Sequence, residues 1–366
     1  MSCDFIALAN IGIQELSPYQ AGKPVEELER ELDIKNIVKL ASNENPLGTA
    51  QSVLDAVKAE AMTICRYPDS NGFELKAALS NKLSIKPEQI TLGNGSNDIL
   101  DLLAQVFLNP NASAIYSQHG FVVYSLAVKA TSAEAIVTPA KNWGHDLPAM
   151  AAAVKLNTRL VFIANPNNPT GTWVDEATVI EFLDAVPDDV IVVLDEAYCE
   201  YVDDSSYPNS IALLDSYPNL VVSRTFSKAY GLAGLRVGYS ISNPQIADLL
   251  NRARGPFNVN SMALAAARAV LADADYLAKA IEVNDFGLKQ LADAFVRLGV
   301  DFIPSVGNFI SFDAGIDAAA IYQSLLEAGV IVRPIGVYEM PRYLRVSVGL
   351  AGENEKFIAA LEQIIG

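Results

Sequence analysis

Hydrophobic and polar positions along the chain alternate between two kinds of segment. Short runs of consecutive apolar, often β-branched residues are followed by longer segments in which apolar residues recur every three or four positions. The first kind is typical of strands buried on both faces, and the second of helices that cover such strands. The clearest strand, Val190–Leu194, ends directly before the charged Asp195. The alternation therefore predicts an α/β fold, with helices on both faces of a mostly parallel sheet.

The predicted elements form two groups along the chain. Apolar runs predict strands of a large sheet at Ala114–Ser117, Leu160–Ala164, Val190–Leu194, Leu220–Ser223 and Val237–Ile241. Helical spacing predicts helices at Gln51–Met62, Phe73–Leu83, Asn97–Phe107, Asp175–Ala185 and Asp275–Leu298. After about residue 299 the pattern changes to short strands separated by helices, which predicts a smaller α+β lobe. Its predicted strands are Asp301–Ile303, Phe309–Phe312, Val330–Val332 and Leu344–Val348, and its helices are Ala318–Glu327 and Glu353–Ile364.

This pattern divides the chain into three parts. Residues 1–45 show weak periodicity, and we expect them to form an N-terminal arm and part of a small domain. Residues 46–275 are expected to form a large domain, and residues 276–366 a small C-terminal domain.

Charge and composition exclude several classes of protein. The 43 Asp and Glu residues against 26 Lys and Arg give a net charge of −17, which argues against binding to nucleic acid or to anionic membranes. A hydrophobic fraction of 51% argues against disorder. Three cysteines, no basic leader at the N-terminus and no uninterrupted apolar run favour a soluble protein of the cytoplasm. We expect no metal site, because the two histidines, His119 and His145, lack neighbouring ligands.

Two segments at predicted loops are suited to binding a ligand, since ligand sites of open α/β sheets collect at strand ends. Gly93–Asp98 (GNGSND) opens a helix, and its backbone amides can hold a phosphate; the alternative is an ordinary glycine turn capped by Ser96. Asn165–Gly171 (NPNNPTG) follows an apolar strand, and we expect its amide side chains to point into the crevice; the alternative is a structural turn.

Two further segments carry charged residues in apolar surroundings. Asp195 ends the best strand, where an ionised carboxylate is costly without a positive partner; the alternative is a capping aspartate. Lys228 lies among small and hydroxyl residues, eight positions before Arg236. Such a lysine suits imine formation because burial lowers the pKa of an amine; the alternative is a solvated loop lysine.

Taken together, the four segments suit one ligand. A lysine can form an imine, an aspartate can hold a pyridinium proton, and Asn with Tyr can bind a phenolic oxygen. Thr, Arg and backbone amides can bind a phosphate monoester, and pyridoxal 5′-phosphate has all four of these features. The residues that supply these parts are Asn168, Asp195, Tyr198, Thr225, Lys228 and Arg236.

Four other motifs accompany these segments: YQAGKP at 19–24, SNENPLG at 42–48, RYPDSNG at 66–72 and YLRVSVG at 343–349. The order and spacing of the whole set resemble the fold-type I, aspartate-aminotransferase-like superfamily over almost the entire chain. Within it, the four motifs resemble the histidinol-phosphate aminotransferase family, although aromatic aminotransferases and threonine-phosphate decarboxylases share much of the pattern. The resemblance implies the pyridoxal-phosphate transferase fold of type I, with a large and a small domain.

The resemblance also implies roles for individual residues. Lys228 would bind the cofactor as an imine, Asp195 would pair with its ring nitrogen, and Tyr198 with Asn168 would bind its ring oxygen. Phe121 would stack on the ring. The residues implied for the phosphate are Gly95, Ser96, Asn97, Thr225, Ser227 and Arg236, with Tyr67 of a partner subunit, which implies a homodimer. The residues implied for the substrate are Tyr19, Asn45, Arg333 and Arg345.

The implied activity is a transamination in histidine biosynthesis, between L-histidinol phosphate with 2-oxoglutarate and imidazole-acetol phosphate with L-glutamate. The second interpretation is an aromatic amino-acid aminotransferase, which needs an apolar pocket in place of a second anion site. The third is a non-catalytic, cofactor-binding regulator. A regulator of this kind normally has an added DNA-binding module, which the acidic charge and the chain length disfavour.

Overall fold

The computed structural model describes residues 3–14, 16–18 and 22–366. Its strands in chain order are β1 (Val38–Lys39), β2 (Ile90–Gly93), β3 (Ser113–Ser117), β4 (Glu134–Thr138), β5 (Thr158–Ala164), β6 (Ile191–Asp195), β7 (Leu220–Thr225), β8 (Gly238–Ser242), β9 (Phe302–Ile303), β10 (Phe309–Asp313), β11 (Val330–Ile331), β12 (Arg333–Pro334) and β13 (Tyr343–Ser347). Its α-helices are α1 (Ile11–Gln14), α2 (Val25–Leu32), α3 (Gln51–Glu60), α4 (Phe73–Leu83), α5 (Ser96–Phe107), α6 (Val122–Ala130), α7 (Leu147–Ala152), α8 (Glu176–Ala185), α9 (Ser210–Leu213), α10 (Pro244–Ala253), α11 (Ser261–Leu271), α12 (Ala274–Leu298), α13 (Ala318–Glu327) and α14 (Ala351–Ile365).

A sheet of seven strands, in the order β2-β8-β7-β6-β5-β3-β4, forms the centre of the large domain. β8 pairs antiparallel with both of its neighbours, and every other pair in the sheet is parallel. The predicted α/β fold with a mostly parallel sheet is therefore confirmed.

Helices cover both faces of this sheet, which explains why its central strands are apolar at successive positions. In β5, Leu160 and Phe162 pack with residues of α5 and α6, whereas Val161 and Ile163 pack with residues of α7 and α8. Because successive side chains of a strand point to opposite faces, a strand between two layers of helices needs apolar residues on both of its faces.

The C-terminal part of the chain forms a second, antiparallel sheet in the order β12-β13-β10-β9. Its apolar core includes residues of α12, α13 and α14, among them Phe295, Leu325 and Phe357. The short β1 pairs in parallel with β11, so that residues before the large domain contact this lobe. The divisions after residues 45 and 275 stay predictions.

Several elements were not predicted from the apolar pattern, among them β2, β4, α6, α10 and α11. β4 is an edge strand whose residues are mostly not buried, so it lacks the continuous apolar run of the central strands. The predicted helix Gln51–Met62 ends at Glu60 and continues as a 3₁₀ turn. No helix in the described part of the chain is both long enough and apolar enough to cross a membrane.

Candidate active site

A cavity of about 280 Å³ opens at the carboxyl ends of β5, β6 and β7. Parallel strands present their carboxyl ends at one edge, so segments far apart in sequence meet there. The small lobe supplies the opposite wall through β12, β13 and the turn that holds Tyr338. The predicted site residues that line the cavity are Ser96, Asn97, Phe121, Asn168, Asp195, Tyr198, Thr225, Ser227, Lys228, Arg236, Arg333 and Arg345.

Three of the predicted site residues that the structure describes do not line this cavity. Gly95 lies directly behind its wall, next to Arg236. The Asn45 amide donates to the carbonyl oxygen of Ala229 at 2.9 Å and accepts from the backbone of Leu47, so it holds the loop together. The third is Tyr67, which is 83% exposed and stacks on Phe257 with 4.6 Å between ring centroids. The predicted substrate residue Tyr19 lies outside the described residues.

Asp195 is 4% exposed at the end of β6. Its Oδ2 accepts a hydrogen bond of 2.9 Å from the hydroxyl of Tyr124, whereas its Oδ1 is buried without a partner among the described residues. Burial raises the pKa of this carboxyl from 3.8 to about 6, although the Tyr124 hydrogen bond acts in the opposite direction. An orphaned, buried carboxylate oxygen is suited to a cationic N–H group of a ligand.

Lys228 follows β7 in a turn, and its Nζ donates to the carbonyl oxygen of Ser42 at 3.4 Å. Burial and the positive charges of Arg345 and Arg236 lower its pKa from 10.5 to about 8. Within the part of the chain that the structure describes, no carboxylate lies within ion-pair distance of Nζ. A substantial fraction of this amine is therefore neutral and nucleophilic just above neutral pH.

Tyr198 lies 3% exposed beside Lys228, whose Nζ is 5.8 Å from the centroid of its ring. Burial raises the pKa of Tyr198 to about 12, so the hydroxyl keeps its proton. Nδ2 of Asn43 donates to this hydroxyl oxygen at 2.9 Å. The Tyr198 hydroxyl therefore accepts from Asn43 and has its own proton to donate to a ligand oxygen.

Asn168 and Arg345 connect the large and small domains across the cavity. Nη1 of Arg345 donates to Oδ1 of Asn168 at 2.6 Å, and Nη2 donates to the carbonyl oxygen of Ala41 at 2.9 Å. Arg345 is opposite Arg333 in the register of β13 and β12, which places both guanidinium-bearing residues on the same face of the small sheet. Two arginines in one cavity are suited to binding carboxylates or phosphates.

The N-terminus of α5 forms a third wall of the cavity, beside Arg236. Nη1 of Arg236 donates to Oγ of Ser227 at 3.2 Å, and the hydroxyl of Thr225 accepts from the backbone N–H of Ser227 at 3.1 Å. Gly95 precedes the helix with φ of 85°, and a Cβ there would lie 2.2 Å from Nη2 of Arg236. Backbone amides, hydroxyls and a guanidinium thus converge, and Arg236 makes no ion pair with a carboxylate among the described residues, an arrangement suited to phosphate.

Two residues of this site were missed by sequence reasoning. Of the motif SNENPLG, Asn45 was selected, but Asn43 is the asparagine that lines the cavity. Tyr124, which holds Asp195, was missed too, although it lies three positions after Phe121 and the edge of its ring contacts that of Phe121. No metal-ligating group of three His, Cys, Asp or Glu side chains occurs among residues 3–14, 16–18 and 22–366.

Comparisons with known proteins agree with this geometry. The model of the family described as aminotransferase class I and II matches residues 35–363. A relative from Pseudomonas fluorescens described as histidinol-phosphate aminotransferase 2 is 56% identical over 367 residues, which is 100% of this chain and 99% of the relative. A relative of the same description from Pseudomonas aeruginosa is 56% identical over 364 residues, at 99% of each chain.

A solved structure gives the same result for the fold. The histidinol-phosphate aminotransferase of Sinorhizobium meliloti, crystallised in complex with pyridoxal 5′-phosphate, superimposes with a TM-score of 0.89 at 33% identity. The match covers 97% of this chain and 96% of that chain.

Proposed function

The chain belongs to the class I and II aminotransferase family, and from that premise we propose that it is a pyridoxal-phosphate-dependent histidinol-phosphate aminotransferase. It interconverts L-histidinol phosphate with 2-oxoglutarate and imidazole-acetol phosphate with L-glutamate. The main support for the proposal is that one cavity contains an amine of lowered pKa, a buried carboxylate with an unpartnered oxygen, and three arginines. The descriptions of full-length relatives at 56% identity support the choice of substrate.

The residues of the cavity fit the proposed cofactor. The unpartnered Oδ1 of Asp195 suits a protonated ring nitrogen, and the Tyr198 hydroxyl with Asn168 suits the ring oxygen. When bound, the cofactor supplies a carbonyl carbon that combines with amines and a ring that withdraws electrons from the substrate. The residues proposed to hold its phosphate are Gly95, Ser96, Asn97, Thr225, Ser227 and Arg236, and Phe121 is proposed to stack on its ring.

Lys228 is the base of the proposed reaction. Its Nζ is neutral for part of the time near pH 8, so it can accept the proton from the α-carbon of the substrate and return it. Asp195 would keep a proton on the ring nitrogen, because its buried Oδ1 has no hydrogen-bond partner among the described residues and an ionised carboxylate stabilises a neighbouring cation.

Arg333 and Arg345 are the proposed anion-binding residues for the substrates. Glutamate and 2-oxoglutarate present a carboxylate, and histidinol phosphate presents a phosphate, so the same arginines can serve both. Tyr19 and Asn45 were also predicted to contact the substrate. The Tyr19 role stays a prediction, and the bonds of Asn45 to the loop favour a supporting role for it.

We further propose that the active unit is a homodimer in which Tyr67 contacts the cofactor phosphate of the neighbouring site. Large apolar side chains close to Tyr67 in the sequence are exposed, since Met62, Ile64 and Phe73 are 83%, 62% and 65% exposed. Several exposed large apolar side chains are typical of an interface, and a second copy of the chain is the occupant we propose. All three cysteines are free thiols, which supports the predicted cytoplasmic location.

A panel of amino donors tests the proposed function. The purified protein is loaded with pyridoxal 5′-phosphate and mixed with histidinol phosphate, phenylalanine, tyrosine or threonine phosphate, and the loss of the visible chromophore is followed in a single turnover. We expect histidinol phosphate to react fastest, and Lys228→Ala to be inactive with every donor. Faster reaction with phenylalanine or tyrosine would replace this proposal with the aromatic aminotransferase.

A further inference from the structure

The carboxylate of Asp195 is held by a residue that belongs to none of the four chemistry-bearing segments. Tyr124 comes from α6, is fully buried, and donates from its hydroxyl to Oδ2 of Asp195 at 2.9 Å. Oδ2 of Asp195 thus accepts a hydrogen bond from a side chain, whereas Oδ1 has no hydrogen-bond partner among the described residues. The two oxygens are therefore inequivalent, one engaged with the protein and one left for a ligand.

The position of the Tyr124 hydroxyl is fixed by the packing of its ring. The ring stacks on Phe162 of β5 with 4.9 Å between centroids and 8° between planes. Its edge meets Phe121 at 5.9 Å and 88°. A buried aromatic ring between two others has little freedom in either side-chain torsion, so its hydroxyl is held in place.

The charges around this pair decide which group carries the proton. Burial and the negative charge of Asp195 raise the pKa of Tyr124 well above its usual value, so the hydroxyl can only donate to the carboxylate. The other titratable groups that act on Asp195 and Tyr124 are Glu196, next in the chain, with Tyr198 and Tyr338. Glu196 and burial favour a protonated Asp195, and Tyr124 is the group that favours the ionised form.

We propose that Tyr124 is a positioning residue for the transamination: its hydroxyl holds Oδ2 of Asp195 and leaves Oδ1 to pair with the ring nitrogen of the cofactor. The inference rests on the proposed function, because it needs a cofactor with a protonated ring nitrogen. The proposed role of Tyr124 requires no contact between its side chain and the substrate. It acts through Asp195, by fixing the direction of the carboxylate and by keeping it ionised.

The test compares Tyr124→Phe with the matched control Tyr116→Phe. Tyr116 is a second buried tyrosine of the same apolar cluster, and its hydroxyl bonds with Ser125 instead of with a site residue. Both variants keep the ring and lose one hydroxyl, so a general loss of core packing affects them alike. The melting temperature of each cofactor-free variant shows that the fold is intact.

The first readout is the dissociation constant for pyridoxal 5′-phosphate, from titration of the cofactor-free protein. Losing a hydrogen bond to a charged group weakens the interaction that this group makes with a ligand. Because Tyr124 acts on the cofactor only through Asp195, only part of this loss affects cofactor affinity. We expect roughly 10-fold weaker cofactor binding by Tyr124→Phe and no change in Tyr116→Phe. In Tyr124→Phe the loss of affinity on acidification should also begin at higher pH, because Asp195 protonates more readily.

Two further arms separate positioning from a merely structural role. Asp195→Asn and the double variant with Tyr124→Phe should bind the cofactor equally, since Tyr124 acts through the carboxylate. An analogue with carbon in place of the ring nitrogen should bind equally to wild type and Tyr124→Phe. Wild-type affinity and pH dependence in Tyr124→Phe, or an equal loss in the Asp195→Asn background, would overturn the inference. Failure of the wild type to bind the cofactor would instead refute the proposed function.

Discussion

Replacing Gly95 by alanine places a methyl group on the guanidinium that we propose to bind the cofactor phosphate. The added Cβ would lie 2.2 Å from Nη2 of Arg236, closer than a Cβ approaches a non-bonded atom, and 3.0 Å from its Cζ, which is a tight contact. Because these atoms end a flexible side chain, we expect Arg236 to move while the backbone of Gly95 stays near its φ of 85°.

The Gly95→Ala substitution has two energetic costs, and they appear in different measurements. The backbone conformation of Gly95 is one that side-chain-bearing residues rarely adopt, and holding alanine there costs about 1–3 kcal/mol in the free energy of unfolding. Moving Arg236 removes one charge-assisted contact to the phosphate, about 1.5–3 kcal/mol, which is roughly 10- to 150-fold in the dissociation constant of the cofactor.

Gly234→Ala is the matched control, because Gly234 lies two positions before Arg236 and a Cβ there meets nothing within 4 Å. Cofactor binding is measured by titration of the cofactor-free variants, and stability by urea unfolding. We expect Gly234→Ala to bind as wild type does and Gly95→Ala to bind more weakly. Equal affinity of the two variants would show that Arg236 either does not contact the phosphate or yields without cost.

Three other predictions concern residues of the same cavity. Asp195→Asn should lower kcat at least about 100-fold with little change in melting temperature, because the ring nitrogen loses its proton; unchanged kcat with a large fall in melting temperature would make Asp195 a structural residue. Without cofactor, Lys228→Met should melt at a higher temperature than wild type near pH 7, and this advantage should shrink near pH 10. The pKa of Lys228 is about 8 in the folded protein and 10.5 in the unfolded one, so its positive charge destabilises the fold fully below about pH 8. That destabilisation is relieved as the pH rises from about 8 to 10.5. Calorimetry that finds no such trend would contradict the lowered pKa. Mixing inactive Lys228→Ala and Tyr67→Ala chains should restore about a quarter of wild-type turnover, since each mixed dimer has one intact site; no recovery after proven subunit exchange would place both residues in one chain's site.

Much of the fold could be predicted from the sequence, because its signals are local. α4 and α13 begin and end where their apolar spacing predicts, and Asp175 caps α8 by accepting from the backbone of Thr178. The short or partly exposed strands β2 and β4 lack such a signal. β2 pairs with β8, which is distant in the chain, and β4 pairs with β3 across the intervening helix α6.

The candidate site was predicted less completely, for a physical reason that Asn43 illustrates. Asn43 and Asn45 belong to one motif, and nothing in the motif tells which of them faces the cavity. The choice is made by Ser347, which accepts from the backbone N–H of Asn43 at 2.8 Å, and by Asn308, which donates to its carbonyl oxygen at 3.0 Å. Both partners lie more than 260 positions away in the chain, so a local pattern cannot contain this information.

The cations of the cavity also act on one another, which links substrate binding to the basicity of Lys228. Burial lowers the pKa of Lys228 most, Arg345 and Arg236 lower it further by repulsion, and Glu44 is the acid that opposes them. A phosphate at Arg236 or a carboxylate at Arg345 offsets that repulsion, so the affinity of Nζ for a proton rises as the anions bind. The arginines that we propose to bind the anionic ligands would therefore also favour a neutral lysine before binding and a proton-accepting lysine afterwards. This order of events suits a residue that first acts as a nucleophile and then as a base.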